Sequence, residues 1–187
     1  GGTVMKGYYK RPDLTKKVMT VDGWLDTGDL GMLTVHDEIV IKGRMKDTIV
    51  LRGGENIEPL PIEQKLQESR FIKAAVVLGQ DQRYLAALIL VNEDEIKSFA
   101  EENGLVYDTY ENLLKSEDIL KLYETEINGL INSKNGFKMY ERINKFALIT
   151  KPFEVGVELS AKQEIMRFRI NEIYAKEIAD LFKVEEN

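Results

Sequence analysis

Between residues 32 and 44, MLTVHDEIVIKGR alternates well enough between apolar and polar for two short strands, MLTV (32–35) and IVIK (39–42), and a short apolar run, TIVLR (48–52), follows. Alternation with period two predicts strands, because successive side chains leave a strand on opposite faces. Met32–Val35 and Ile39–Lys42 flank His36-Asp37-Glu38 and read as a hairpin, and a third strand ends at Gly53-Gly54. Asn56, just ahead of PLPIEQKLQES, predicts a capped helix with proline near its first turn. The stretches FIKAAVVLG (71–79) and RYLAALILVN (83–92) are nearly unbroken apolar runs around a polar turn at Gln80–Gln82. Such runs predict a hairpin covered on both faces.

Asn92, with Glu95 three residues on, predicts a capped helix to about Glu102. A long helical region over 109–136 closes at Asn135-Gly136, and INKFALIT (143–150) reads as a strand. A last helix is expected from about Ala161, where Ser160 and Gln163 have capping-box spacing and Ile165, Phe168, Ile173, Ile178 and Leu181 recur at helical intervals. From residue 48 on, the pattern is that of a compact α+β domain. Residues 1–31 hold turn formers and aromatics, as in GYYKRPD and VDGWLDTGDLG.

Composition narrows the function classes. The chain has 187 residues, room for one good core or one core plus a piece of another. No stretch approaches the roughly 18 unbroken apolar residues of a membrane-spanning helix. A soluble, cytoplasmic protein is expected, and peripheral membrane contact stays open. The start lacks Met and a secretory pattern, so the chain reads as cut from something longer. With no cysteine there is no disulfide, thiolate ligand or cysteine nucleophile. A net charge of −6, with basic residues scattered among acidic ones, speaks against nucleic acid as a partner.

Two stretches carry candidate chemistry. DTGD (26–29) sets two carboxylates around a Thr-Gly turn, and an ionised Asp there can accept both hydroxyls of a ribose. Turn preference alone also explains Asp and Gly at such a place. GRMKDTIVLRGGENIEP (43–59) sets the planar donor fork of Arg44 and the polar joint Lys46-Asp47 before a strand, then leaves bare backbone at Gly53 and Gly54.

Taken together, GYYKRPDLT (7–15), GWLDTGDLG (23–31) and KGRMKDTIVLRGGENIEPLPIE (42–63) resemble the adenylate-forming superfamily, most closely its long-chain fatty-acyl-CoA synthetases. The resemblance is dense from Val4 to Glu63 and looser to about Phe182. It implies an enzyme that activates a fatty acid with ATP and Mg²⁺ to an acyl-adenylate, releases pyrophosphate, and transfers the acyl group to coenzyme A. It also implies two domains: residues 1–45 as the tail of a large AMP-binding domain, and 46–187 as a mobile lid with a small antiparallel or mixed sheet and flanking helices. Asp29 would bind the ribose hydroxyls, Arg44 would contact the nucleotide, Lys46 would sit at the hinge, and Gly53 and Gly54 would face the pantetheine tunnel. The phosphate-binding loop of such enzymes has no counterpart in 1–187, so this stretch should not turn over ATP unaided, and 1–45 should be poorly ordered or self-associate.

The last motif departs from the pattern. Long-chain members carry a Leu-Thr-Pro-Thr-x-Lys-x-Lys-Arg type of segment whose first lysine steadies the α-phosphate and carboxylate. Aligning Leu159, Ser160 and Arg167 without gaps puts Glu164 at that lysine's place, with Lys162 two residues earlier. A carboxylate there would repel developing phosphate charge. Lys162 from a shifted loop, or Lys151, would restore the cation; otherwise adenylation is lost and the domain is a degenerate, non-catalytic member. A lid of an acyl-acyl-carrier-protein ligase or of an aryl-acid activator is the other reading left open. Ser160, Lys162 and Glu164 also fit the polar first turn of a surface helix. His36, the only histidine, reads as a solvated turn residue, and Glu117–Glu126 as a solvated acidic face. Tyr8, Tyr9 and Trp24 suit either stacking on a base or packing against another domain.

Overall fold

The computed structural model describes residues 2–183, so the last four positions of the expected second domain lie outside the described residues. The chain divides into two compact units, Gly1–Lys46 and Asp47–Asn187.

In the first unit, helix α1 (Pro12–Val18) begins with proline at its first turn, carries Asp13 early and ends with Lys16 and Lys17. Those are start and stop signals for a helix, and the aromatic, turn-rich surroundings hide them from a pattern reading. Strands β1 (Asp29–Leu33) and β2 (Ile39–Arg44) pair antiparallel, with a bulge between Leu30 and Gly31. The tip is closed by Thr34 N–H to the Glu38 carbonyl (2.8 Å) and Asp37 N–H to the Thr34 carbonyl (3.1 Å), and exposed His36 sits on it. Gly43 is the sole buried residue among the described positions of this unit. Trp24, Val35, Leu33 and Ile39 are 75, 95, 64 and 74% exposed.

The second unit has a real core. Strands β5 (Ile72–Leu78), β6 (Leu85–Val91) and β7 (Ile143–Ile149) form one sheet in that order, β5 antiparallel and β7 parallel to β6. Helices α2 (Pro59–Leu66), α3 (Glu93–Glu102), α4 (Tyr110–Leu114) and α5 (Glu117–Leu130) supply Ile62, Ile96, Leu113 and Ile119 to the cluster that holds Ala75, Val77, Ala87 and Ile89 of the sheet. Helices α6 (Arg167–Ile173) and α7 (Ala175–Leu181) supply Ile170 and Leu181 to a second cluster with Val76, Leu78, Ala86 and Leu88. Alternate sheet residues thus enter different cores, which is why β5 and β6 read as continuous apolar runs.

Several local expectations are corrected. The third strand shrinks to β3 (Ile49–Val50), paired with β4 (Asn56–Ile57), so Asn56 is a strand residue and Glu58 takes the N-cap position of α2. Asn92 does precede α3, but its side chain makes no cap bond; Nδ2 donates to the Arg70 carbonyl at 2.9 Å instead. The long helical region breaks at Ser116, whose hydroxyl caps α5 by accepting from Ile119 N–H. No helix starts at Ala161. Gln163 has φ +62°, outside the helical region, and 160–164 is a tight turn, with helix beginning only at Arg167.

A conformational requirement decides one glycine here. Gly54 has φ +90° with open space where a Cβ would point, whereas Gly53 has no such φ and its added Cβ would meet only the movable Glu55 carboxylate. Gly54→Ala is therefore expected to lower stability by about 1–2 kcal/mol, and Gly53→Ala by less than about 0.5 kcal/mol. Chemical denaturation of the two variants side by side checks this.

Candidate functional site

The first unit contributes a strand edge. In the DTGD turn, Gly28 (φ +70°) donates its N–H to Asp26 Oδ1 at 2.9 Å, and Asp29 N–H bonds Thr27 Oγ1 at 3.2 Å. These side-chain bonds fix the turn from within. Asp29 then opens β1 directly opposite Arg44 on β2, and Arg44 Nε lies 3.5 Å from Asp29 Oδ1. Both side chains are partly exposed. Met45 N–H donates to the Gly28 carbonyl at 2.9 Å, so the two motifs meet at one end of the hairpin. A carboxylate with several lone pairs and a guanidinium fork, side by side at a surface, form a donor–acceptor pair suited to a sugar–phosphate ligand. Lys46 follows, exposed, in a single 3₁₀ turn over Met45–Asp47, and the boundary between the units falls just after it.

The second unit contributes two loops. The first is the β3–β4 turn, closed by Leu51 N–H to the Glu55 carbonyl (3.0 Å) and Gly54 N–H to the Leu51 carbonyl (2.9 Å). Gly53 and Gly54 are in that turn, past the end of the strand on which they were expected, and both are exposed. The turn is fastened to the β5–β6 connection by Arg52, whose N–H donates to Gln82 O and whose Nε donates to Asp81 O, each at 2.8 Å. Thr48 Oγ1 donates to Glu58 Oε1 at 2.7 Å and ties the start of β3 to the head of α2.

The second loop carries Lys162. Residues 159 and 165 bridge antiparallel, and Ser160 N–H bonds the Glu164 carbonyl at 2.8 Å. The Ser160 hydroxyl accepts from the N–H groups of both Lys162 and Glu164 at 3.2 Å. Lys162 thus stands exposed at the tip of a five-residue turn, while Glu164 forms its returning leg. Lys151 is committed elsewhere, 3.2 Å from Glu154 Oε1 and 3.9 Å from Glu158 Oε1.

Sequence reasoning missed two buried carboxylates. Glu63, on α2, accepts from Arg167 Nη2 at 2.7 Å and from Val77 N–H at 2.8 Å, and Arg167 Nη1 donates to the Val77 carbonyl at 3.1 Å. Burial pushes the Glu63 carboxyl up from its ordinary value, with the Arg167 charge opposing. Its helical position, one turn from buried Leu66 and beside Ile62, was the available signal. Glu158, four residues before Lys162, is fully buried, and nothing in the sequence around it announces that.

Fold and sequence together place the chain in the class of adenylate-forming enzymes. It belongs, over residues 46–186, to the family described as AMP-binding enzyme C-terminal domain. The chain is 36% identical over 194 residues to the "probable acyl-activating enzyme 16, chloroplastic" of Arabidopsis thaliana, covering 98% of this chain and 26% of that protein. A long-chain-fatty-acid–acyl-carrier-protein ligase of the same plant is 49% identical over 105 residues, 51% of this chain and 14% of its own length. A long-chain-fatty-acid–CoA ligase of Mycobacterium tuberculosis is 29% identical over 188 residues, 99% of this chain and 30% of its own length. The chain therefore spans 14–30% of the length of these relatives. Among solved structures, the adenylation domain of a carboxylic acid reductase from Segniliparus rugosus, in complex with AMP and a carboxylic acid, matches with TM-score 0.78 at 24% identity, over 96% of this chain and 26% of that one.

Proposed function

We propose that this chain is the C-terminal part of a ligase that activates a long-chain fatty acid as its acyl-adenylate and passes the acyl group to a thiol. Residues 1–45 belong to a large AMP-binding domain, and 46–187 form its lid. The observation that carries the reading is the pairing, on one small domain, of two separate loops: a cation at a turn tip and a glycine that its own structure does not require.

In the first half-reaction a carboxylate oxygen attacks the α-phosphorus and pyrophosphate leaves. Asp29 holds the ribose hydroxyls and Arg44 contacts the nucleotide, while the Lys162 ammonium lies against the charge that develops on phosphate and carboxylate. The turn geometry favours Lys162 over the degenerate reading, since it puts the lysine at the tip and Glu164 on the leg. In the second half-reaction a thiol attacks the acyl carbonyl and AMP leaves. A turn about Lys46 brings Gly53 to the pocket, where bare backbone lets the pantetheine arm pass. Mg²⁺ would enter with the phosphates of ATP, held by the upstream domain.

The identity of the thiol has two candidates. Coenzyme A fits the relatives that are CoA ligases, and the 49% match to a carrier-protein ligase favours protein-borne pantetheine as the second reading. No helix among the described residues is long and apolar enough to cross a membrane, and the proposed site of action is the cytoplasm, with a peripheral contact to lipid for the fatty acid.

Gly53→Val in the full-length enzyme tests the assignment. Thioester formation from a supplied acyl-adenylate is expected to fall by about tenfold or more, because a misplaced thiol loses its attack geometry, with fatty-acid-dependent pyrophosphate exchange preserved. Running the transfer with coenzyme A and with holo-acyl-carrier-protein in parallel assigns the acceptor. Equal activity of Gly53→Val and parent in the transfer step would contradict the tunnel role.

A further inference from the structure

Glu158 is a fully buried carboxylate in a loop, flanked by Val157 and Leu159. Burying an ionised group is costly unless its partners are fixed. The carboxylate itself makes one hydrogen bond, on the side where the chain enters the Lys162 turn, and the backbone of residue 158 makes the rest. On the entering side, Glu158 Oε2 accepts from Glu154 N–H at 2.9 Å, and the N–H groups of Glu158 and Leu159 return to the Glu154 carbonyl at 3.1 and 3.0 Å. On the returning side, the Glu158 carbonyl accepts from Met166 N–H at 2.9 Å, one residue before α6. Between them the Leu159–Ile165 bridge closes the turn that holds Lys162.

The surroundings of the carboxylate are equally specific. Lys151 Nζ lies 3.9 Å from Oε1, and the Arg169 guanidinium is turned to the Val157 carbonyl at 3.3 Å. The Tyr174 hydroxyl, buried at the junction of α6 and α7, is near enough that burial and the Glu158 charge raise its pKa, so it stays protonated beside the carboxylate. Neither that hydroxyl nor Glu158 Oε1 has a hydrogen bond of normal geometry. An incompletely satisfied buried carboxylate is a poor device for stability alone, and an apolar side chain at 158 would fill the space without the desolvation. What an apolar side chain would not do is hold Glu154 N–H, and through it the register of the turn.

We infer that Glu158 is a positioning residue for adenylation: its carboxylate holds Glu154 N–H and thereby sets the backbone at 158, from which the Met166 bond and the Leu159–Ile165 bridge close the turn, and so fixes where the Lys162 ammonium stands. The inference rests on the role proposed for Lys162. It assigns Glu158 to one half-reaction only, since the turn is not used when the lid presents Gly53.

The test separates a positioning role from a structural one in the full-length enzyme. Glu158→Ala is expected to slow fatty-acid-dependent ATP–pyrophosphate exchange by about tenfold or more, chiefly in kcat, as small misplacements of a reacting group do. Glu158→Gln keeps an acceptor oxygen for Glu154 N–H and is expected to recover most of that loss. Acyl transfer from supplied acyl-adenylate should match the parent in both. Parallel losses in the two half-reactions, or an unchanged exchange rate in Glu158→Ala, would overturn the inference. Lys162→Ala run alongside distinguishes the failures: if it leaves exchange intact, the Lys162 assignment falls; if it abolishes exchange and Glu158→Ala does not, only the positioning role falls. Hydrogen exchange on the chain 1–187 gives a readout free of catalysis. Glu158→Ala should deprotect the Glu154 amide, which loses its acceptor, and with it the amides of Leu159 and Met166, and leave those of β5 and β6 unchanged, whereas unchanged protection at these three amides would overturn the anchoring.

Discussion

Replacing Lys162 by alanine in the full-length enzyme is expected to slow fatty-acid-dependent ATP–pyrophosphate exchange by about 10²–10³-fold, the effect of removing one well-placed charge from a developing anion. Transfer of a preformed acyl-adenylate to thiol should be spared. The physical basis is the turn itself. Lys162 stands at its tip, and Glu164 N–H and C=O are both engaged with Ser160 in the returning leg. A gapless motif alignment, which sets Glu164 at the lysine's place, compares positions in sequence; the proposal for Lys162 rests on its place at the tip, with Glu164, also exposed, on the leg. Glu164→Lys is accordingly expected to give little gain in exchange. A large gain from Glu164→Lys, with Lys162→Ala silent, would instead identify the domain as degenerate.

The second large effect is on stability. Arg167→Ala is expected to destabilise the Asp47–Asn187 unit by about 3–5 kcal/mol, the range found when one partner of a buried pair is removed. In a unit of this size that corresponds to a drop in Tm of roughly 10–15 °C, read by calorimetry. Buried pairs can often be exchanged for apolar side chains at little loss, but this one has a further task. Strand β5 is an edge of the sheet, and Val77 offers its N–H to Glu63 and its carbonyl to Arg167. The pair closes an open strand edge. The double variant Glu63→Leu/Arg167→Met should therefore stay destabilised, because it leaves both Val77 groups without partners; full recovery of Tm would refute the edge role.

The sheet was legible from its apolar runs because burial on both faces leaves no polar positions to confuse the period. The β1–β2 hairpin was legible from two short apolar stretches around the polar His36-Asp37-Glu38, although its first strand runs Asp29–Leu33 rather than Met32–Val35. Capping signals fared worse. Asn56, Asn92 and Ser160 each have the right residue type, Asn92 and Ser160 with Glu95 and Gln163 three positions on, yet pairing in β4, a bond to Arg70 O and a left-handed Gln163 won in turn. Local propensity for a cap is worth about 1 kcal/mol, and tertiary hydrogen bonds of equal strength readily redirect the same side chain. The candidate site residues were legible as motif order. Their anchoring was not: Glu63 meets Arg167 from 104 positions away, and no local pattern encodes such a pair.

The central claim is that the backbone turns near Lys46, so that the Lys162 loop and the Gly53 turn visit one nucleotide pocket in succession. The proposed rotation is placed at Lys46, between Met45, whose N–H is held by the Gly28 carbonyl in the first unit, and the Thr48–Glu58 bond and β3–β4 pairing of the second. Residues 1–187 hold no cysteine, so once any cysteines elsewhere in the full-length enzyme are replaced, spin labels can be set at two chosen positions, His36→Cys on the hairpin tip and Lys134→Cys beyond α5. Pulsed dipolar spectroscopy then reads the distance between them. The account predicts two distance populations whose weights exchange between ATP with fatty acid and a non-hydrolysable acyl-adenylate with thiol acceptor; one unchanging distance under both conditions would contradict it.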